Sequence, residues 1–559
     1  MQADADMSLL TVQLFEKSCG TFKKRTGLGS DYFHPRHWLL LCEIGKQRLV
    51  DFLCMVEDSG CWPVHASYIF IHLIPKLAGG SRTIGVLAGL VRTWEGMRSH
   101  DFARWMHHAR QYDWACSGRS PEAAVWRQLL FSETLDPEAD QPTDKAHVTV
   151  LLDIVKCFER LSLHHVWYWG RRCNLPARFL RLVMVVFSFA RTLIVQNSFS
   201  ETVSTVGAII AGSRFSCALL HIVMIGPCDT LMHEWPKLDL TKFVDDLAVA
   251  LFEAIEYITS QLPCIIRRLF QLLADLGLDP SLDSDGNRGK SVILTSHLSL
   301  QRALEPMMIE AGLHFDARTR NLGIDHHGQG HTSERSVQAK RCDGIRIRVQ
   351  KLQNLKKVGG KVSKVLKTGL KPAISYGVSC IGLPRKQVAF FRKATSVCLP
   401  GKHRGCSTTL RLAIHRSEPL HELIVPPVFA WASAVWDGKI DRSTLFAAWK
   451  RQLPRVALAT TMPQIKGAAA AVADAMKRVG WSWPHYACMI SRDGLHMDFR
   501  SVCPRDVEAM FKHDSDRALW NSWCQDEQYQ CLRPRPLIEP VVSFAMATNS
   551  FSGGKGMAL

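Results

Sequence analysis

The sequence predicts an α+β chain of several domains, and three observations carry that expectation. At 559 residues it exceeds what a single hydrophobic core can organise. Short β-branched and aromatic runs bounded by turn residues recur at 68–74, 147–152 and 241–251, the pattern of strands. Longer stretches at 255–276 and 337–358 carry apolar residues at helical spacing.

Composition narrows the class. Apolar residues make up 47% and charged residues 21%, as in a globular protein, and the formal net charge is +18. An excess of that size points to a polyanionic partner, nucleic acid ahead of a membrane surface. Residues 1–10 carry Asp4 and Asp6 and no basic flank, so no secretory signal is expected. The apolar run 182–195 is interrupted by Arg191 and is too short to span a bilayer, so no membrane partner is expected. Eighteen cysteines without a Cys-x-x-Cys pair argue against zinc knuckles and disulfide frameworks. Reduced thiols fit an intracellular protein of nucleus or cytoplasm, not a secreted one. The loose set His513, Cys524 and Cys531 lacks metal-ligand spacing.

Taken in order, 1–65 reads as a helical extension. Tyr68 to Ile74 is a strand that runs through Lys76 and a Gly79-Gly80 turn into a second strand from Arg82. Two cations beside a hairpin suit a triphosphate, although a solvated basic turn has the same pattern. Residues 86–135 read as helical, with the aromatics Trp94, Trp105, Tyr112, Trp114 and Trp126 in a core, and 132–145 is a loop. His147 to Leu152 is a buried strand ending in Asp153, and Phe158 follows five residues later. A carboxylate at the end of a buried strand requires a partner or a cation. Residues 177–195 read as a helix. Gly212-Ser213 precedes an apolar helix at 217–225, where a glycine permits close approach of a ligand and a helix N-terminus favours phosphate.

Phe243-Val244-Asp245-Asp246 between apolar runs predicts a hairpin with two carboxylates at its tip. By itself this is an ordinary turn. Two like charges there are costly unless a cation neutralises them, and carboxylate oxygens are the ligands Mg²⁺ prefers. The helix 255–276 follows. Gly289-Lys290-Ser291 is no P-loop, since Ser284 stands at the first glycine position and a strand follows. Asp283, Asp285 and Gly286 are no EF-hand, since Val292 occupies the bidentate Glu position. Residues 321–325 read as a short strand.

The charge is concentrated. Residues 335–416 hold 20 Lys/Arg and one acid, Asp343, whereas the rest of the chain holds 49 basic and 50 acidic residues. Within 337–358, Ile345, Val349, Leu352 and Leu355 predict the core face of a helix, and a second helix is expected over 361–370. The exposed cations of these helices, Arg346, Arg348, Lys351, Lys356, Lys357, Lys361, Lys364 and Lys367, form a candidate phosphate-tracking surface. Residues 423–436 read as core and 464–479 as a helix. Trp481, Trp483, Trp520 and Trp523 mark a further folded unit, and 533–559 is a flexible tail.

In this order the motifs resemble reverse transcriptases of non-LTR (LINE-like) retrotransposons, over about 68–385 and more loosely to 420. Ile74-Pro75-Lys76 through Arg82-Thr83-Ile84 is similar to the fingers segment. Leu152-Asp153 to Glu159 resembles the first catalytic palm motif, and Ala211-Gly212-Ser213-Arg214-Phe215-Ser216 the Gln-Gly-Ser-Pro-x-Ser motif. Phe243-Val244-Asp245-Asp246 resembles the Asp-Asp motif. Gly289-Lys290-Ser291 is similar to the later Lys motif, and Asn321-Leu322-Gly323-Ile324 to the primer-grip element. Residues 366–377 look like the segment that follows the polymerase core.

The resemblance implies a right-hand polymerase with fingers, an antiparallel palm sheet, a helical thumb and a C-terminal helical extension. Its expected divisions are 1–65, fingers and palm at 66–325, thumb at 326–420, an extension at 421–532 and the tail. It implies an RNA-directed DNA polymerase, a nucleotidyltransferase that takes an RNA template, a DNA primer and deoxynucleoside triphosphates. Asp153, Asp245 and Asp246 would be the catalytic and metal-binding carboxylates for two Mg²⁺ ions, with Mn²⁺ as a substitute. Lys76, Arg82, Phe158, Gly212, Ser213 and Lys290 would contact the nucleotide, with Phe158 as the gate against a 2′-hydroxyl. A ribonucleotide polymerase, the rival enzyme, would carry a smaller or polar residue at Phe158. Three departures stand out: Ala211 replaces Gln, Arg214 replaces Pro, and Thr83 replaces the Pro of the fingers motif. They support the alternative of a catalytically inactive, decayed reverse-transcriptase-like nucleic-acid-binding protein.

Overall fold

A computed structural model describes residues 7–76, 79–105, 110–134, 145–195, 198–205, 207–284, 287–328, 335–360, 362–401, 406–459, 465 and 467–524. Lys361, Asp285, Gly286, Cys531, most of the 132–145 loop and the 533–559 tail lie outside these residues. The chain is mixed α/β with several small sheets. Its strands are β1 (Tyr68–Pro75), β2 (Ser81–Val86), β3 (Lys145–Leu152), β4 (Ala190–Val195), β5 (Ser198–Val203), β6 (Asp239–Phe243), β7 (Asp246–Ala254), β8 (Val292–Thr295), β9 (His314–Phe315), β10 (Arg318–Asn321), β11 (Ile324–His327), β12 (Ser482–His485), β13 (Cys488–Ile490) and β14 (His496–Asp498).

A five-stranded sheet in the order β6-β7-β3-β8-β9 is antiparallel except at β8–β9. Its central strands are buried on both faces, which is why β3 and β7 read as near-continuous apolar runs. The helices Ser216–Glu234 and Ile255–Ala274 contribute buried residues to the core that β3 and β7 also fill. Ser216–Glu234 is long and apolar enough to cross a bilayer, but 61% of its apolar window is buried inside the protein. A four-stranded sheet, β2-β1-β4-β5, pairs β1 antiparallel to β2 and parallel to β4. The β1–β2 hairpin closes through Gly79 and Gly80, both at positive φ, as the Gly-Gly signal requires.

Three expectations fail in instructive ways. The helix expected over 177–195 stops at Phe187, and 190–195 is strand β4. Strand β4 is taken up by pairing instead, parallel to β1 on one side and antiparallel to β5 on the other. Residues 321–325 are not one strand but the turn of the β10–β11 hairpin, with Leu322 and Gly323 at positive φ between Asn321 and its partner Ile324. The expected helix 361–370 is broken: Val362–Val365 passes into a π-turn at Leu366–Leu370.

Two cores divide the chain. The first joins Phe15, Leu53 and Val56 of the N-terminal helices to the strands β1 and β3 and to the helices as far as Leu313. A buried ion cluster ties that extension down: Arg98 donates to Glu57 at 2.5 Å and to Asp101 at 2.7 Å, and Trp94 donates to Glu57 at 2.7 Å. The second core takes Val125, Trp126 and Leu130 from the helix Pro121–Ser132, crosses to Ile324, and runs through the basic segment to Phe511. Trp481 and Trp483 belong to it, so they are not a separate unit, and Trp431 meets Trp483 edge to face at 4.8 Å. Glu133, at the end of the helix Pro121–Ser132, accepts from the amides of Ala469 and Ala470 and caps the helix Ala468–Val479.

Candidate active site

The site is set by strand register. Leu152 of β3 pairs with Leu247 of β7, so the next residues outward are Asp153 and Asp246, side by side. β6 and β7 are joined by a two-residue turn, Val244-Asp245, since Phe243 pairs with Asp246. Val244 adopts φ +59°, a conformation a β-branched residue resists, so the turn stores strain at the tip that carries the acids. Asp153 is held from behind. Its carbonyl accepts from Ser281 N at 2.7 Å, its amide donates to Ser291 Oγ at 3.3 Å, and Val155 N donates to Asp279 O. The same Ser281 accepts from Lys290 N, and Lys290 Nζ lies 3.0 Å from Asp153 Oδ2.

The carboxyls influence one another. Although Asp246 reaches solvent, the protein around it desolvates the carboxyl, and with Asp245 and Asp153 this pushes it up to about 6. Asp245 is likewise raised, first by desolvation and then by Asp153. The cations that oppose these shifts are Arg82 and Lys290 at Asp245, and Arg320 and Lys290 at Asp246. Arg82 and Lys290 were expected from the sequence. Arg320 was not: it sits on β10, whose hairpin brings it to the acids, and a lone Arg in a polar stretch gave no signal. Among the described residues no three His, Cys, Asp or Glu side chains stand together as a ready set of metal ligands. The donor chemistry nevertheless suits a hard cation, since carboxylate oxygens are such an ion's preferred donors, and Asp245 and Asp246 are both raised by desolvation and by acid neighbours.

Beneath the turn lies a feature that motif reading missed. Lys242, one residue before Phe243, is fully buried. Its Nζ bonds Asp113 Oδ1 at 3.0 Å, and His221 Nδ1 lies 2.7 Å from Asp113 Oδ2. Burial would raise the Asp113 carboxyl, but His221 and Lys242 hold it well below the usual carboxylate range. The backbone repeats the link: Lys242 N donates to Tyr112 O at 2.7 Å, and Trp114 N to Lys242 O at 2.8 Å. The segment around Asp113 thus extends the sheet beyond β6. A lysine inside an apolar strand run was the available clue.

The other predicted residues are placed as follows. Phe158 is half-buried against the first core, and its carbonyl accepts from Ile209 N. Lys76 is exposed at the end of β1. Gly212 makes the close approach expected of it, but toward Gly85 of β2: a Cβ there would stand 2.1 Å from Gly85 O. The Ser213 hydroxyl is engaged by buried Glu95 at 2.5 Å, whose other oxygen accepts from Arg214 N. Burial pushes Glu95 up to about 7, against the pull of Ser213 and Arg214. The departures from the resembled motifs have partners of their own. Thr83 donates to Glu159, Arg214 donates to Thr21 and lies over Phe22, and Ala211 contributes its carbonyl to Gly85 N at 2.7 Å.

In the basic segment the helix Ser336–Lys357 buries Ile345, Val349 and Leu352, whereas Leu355 is 41% exposed. Arg348, Lys351, Lys357, Lys364 and Lys367 are exposed. Arg346 is exposed beside Asp343 and lies over Phe390. Lys356 does not belong to that surface. Its ammonium is held by the carbonyls of Val397, Leu399 and Gly401 at the end of the helix Arg385–Cys398, the last two of which also accept from Arg411.

No family model and no curated protein matches the sequence. Among solved structures, the chain is similar to apo telomerase from Candida Tropicalis truncated from its C-terminal domain, at 12% identity and a TM-score of 0.33, over 48% of this chain and 54% of that one. The chain thus matches about half of that structure.

Two outcomes test the site as built. Asp113→Ala strands the Lys242 ammonium in the interior, so unfolding in denaturant should show a loss of about 3–5 kcal/mol. Lys242→Met with Asp113→Ala should recover much of it. Glu95 tests pH linkage. Its folded carboxyl titrates at about 7 against 4.5 for an ordinary glutamate, so the folded state holds the proton more tightly. Its contribution is full below pH 4.5 and is lost as pH rises through about 7. Stability of the native protein should fall across that window by up to about 3 kcal/mol relative to Glu95→Gln.

Proposed function

We propose that the chain is an RNA-directed DNA polymerase of the reverse-transcriptase type, from a retroelement. The observation that supports this most is the register that sets Asp153 opposite Asp246, with Asp245 in the adjoining turn. Asp153 and Asp245, backed by Asp246, would hold two Mg²⁺ ions. When bound, such ions stabilise the charge that develops as a primer 3′-oxygen displaces pyrophosphate. The chain's own residues serve the rest. Arg82 and Lys76 meet the triphosphate as cations, and Lys290, already against Asp153, neutralises or protonates the departing pyrophosphate. Phe158 stands five residues beyond Asp153 and selects deoxynucleotides by bulk. The exposed cations from Arg348 to Lys367 grip the template–primer duplex through its phosphates.

A second reading has observations of its own. Lys290 bonds Asp153 directly, no ready trio of metal ligands stands among the described residues, and Ala211 lacks the Gln side chain of the resembled motif. These favour a silent, nucleic-acid-binding descendant.

Primer extension on an RNA template with Mg²⁺ and deoxynucleotides separates the two. The polymerase predicts extension that Asp245→Asn lowers about 10³-fold or more, the scale of several kcal/mol of lost charge stabilisation. Absence of extension by the unmutated chain would favour the silent reading. For the grip, replacing Arg348, Lys351, Lys364 and Lys367 by Ala should flatten the dependence of log K on log salt by about 0.9 for each phosphate that is no longer neutralised. An unchanged slope would refute that surface.

A further inference from the structure

A cavity of about 320 Å³ is lined by residues of the helices Thr408–Ile414, Leu420–Asp437 and Pro504–Cys524 and of the turn between the first two. That volume is at the lower end of the range for small-molecule sites. Leu412, Leu519 and Trp520 form its apolar wall, and Glu418, His421 and Asp516 its polar one. Arg416 also lines it, from the turn. The Arg416 amide donates to Ala413 O and the Ser417 amide to Leu412 O, a helix end that favours glycine, yet Arg416 stands there at φ +46°.

The polar wall reveals which sign of charge the cavity favours. Arg392 engages both oxygens of Glu418, at 2.8 and 3.0 Å, and one of them also accepts from Leu420 N. His421 Nε2 lies 3.0 Å from Asp516 Oδ1. Burial pushes the imidazole down, but Asp516, with Glu418 and Glu422 behind it, raises it overall. The cations on the surrounding elements are Arg416 on the lining, Arg392 on Glu418, and Lys371, 2.6 Å from Glu422. The acids prevail over them. A place where an imidazolium persists against burial is one that stabilises positive charge, and the apolar wall beside it suits a methylene stem.

We propose that this cavity binds an aliphatic ammonium, with its stem against Leu412, Leu519 and Trp520 and its charge on the carboxylate of Asp516. Trp520 adds the attraction of an aromatic ring for a cation. The guest competes with the proton of His421 for the same carboxylate, so binding and deprotonation of the imidazole are linked. An ion of this kind is supplied by a free diamine or by a lysine side chain of another polypeptide. None of the lining residues has a role in the polymerase reading, so the two stand or fall separately.

The test is calorimetric titration of the full chain with 1,5-diaminopentane and with Nα-acetyl-lysine methylamide, and with glutarate as an anion of similar length. Binding of either amine supports the site, and the tighter of the two identifies the source. Asp516→Asn should weaken amine binding about tenfold or more, the scale of a hydrogen bond to a charged group. Ala413→Leu, which fills the cavity without touching a charge, should weaken it as well. Affinity should rise with pH as His421 loses its proton, above the ordinary imidazole value of 6.5, and His421→Gln should flatten that rise. Arg416→Gln should leave amine binding as tight or tighter. Failure of both amines to bind at millimolar concentration overturns the proposal, as does amine binding that folded Asp516→Asn and Ala413→Leu leave unchanged. Glutarate binding that strengthens on acidification and is lost in Arg416→Gln overturns it in favour of an anion site.

Discussion

The buried ammonium of Lys242 is the constraint on which the acid turn depends. A charge taken fully out of water costs several kcal/mol unless it is paired, and Asp113 is its only carboxylate partner among the described residues. Satisfying it forces 112–114 against β6, adds a bridge to the edge of the sheet, and draws in His221 from the helix Ser216–Glu234. Three distant segments are thereby locked around the residue that precedes Phe243. The strained Val244 and the mutually repelling carboxyls above it can persist because the strand below cannot slip.

The four-stranded sheet and the loop before the helix Ser216–Glu234 are joined by equally close geometry. Gly212 and Gly85 approach so tightly that neither tolerates a side chain: a Cβ on Gly85 would stand 2.3 Å from Ile210. Ser213 and the amide of Arg214 satisfy Glu95, a carboxyl that would otherwise be an orphan in the core. Glycine and serine thus serve the packing of the 207–215 loop on strand β2 and on the helix Gly89–Trp105. Thr83 reaching Glu159 fastens the same junction, which makes this departure from the resembled motif part of the fold.

Much of the site was legible beforehand because its signals are local. A two-residue turn between apolar strands needs only the sequence of that hairpin, and the acid at the end of a buried strand needs only that strand. The basic segment was legible from counting. What was missed is non-local. Asp113, His221 and Arg320 carry no motif, and they matter only because pairing brings them to Lys242 and to the acids. Lys356 shows the converse: counted among the surface cations, it is turned inward by three carbonyls that lie about forty positions further along the chain. The strand at 190–195 was misread because a short apolar run does not distinguish a helix from a strand paired on both sides.

The sequence by itself determined the strands that carry Asp153, Asp245 and Asp246, the separation of charge into 335–416, and the helices on either side. These follow from periodicity, turn chemistry and composition, which act between neighbours in the chain. Only the tertiary structure decided which carboxyls become neighbours and which cations face them. Those outcomes depend on register and on the burial of charge, and both are fixed by partners that lie far away in the sequence.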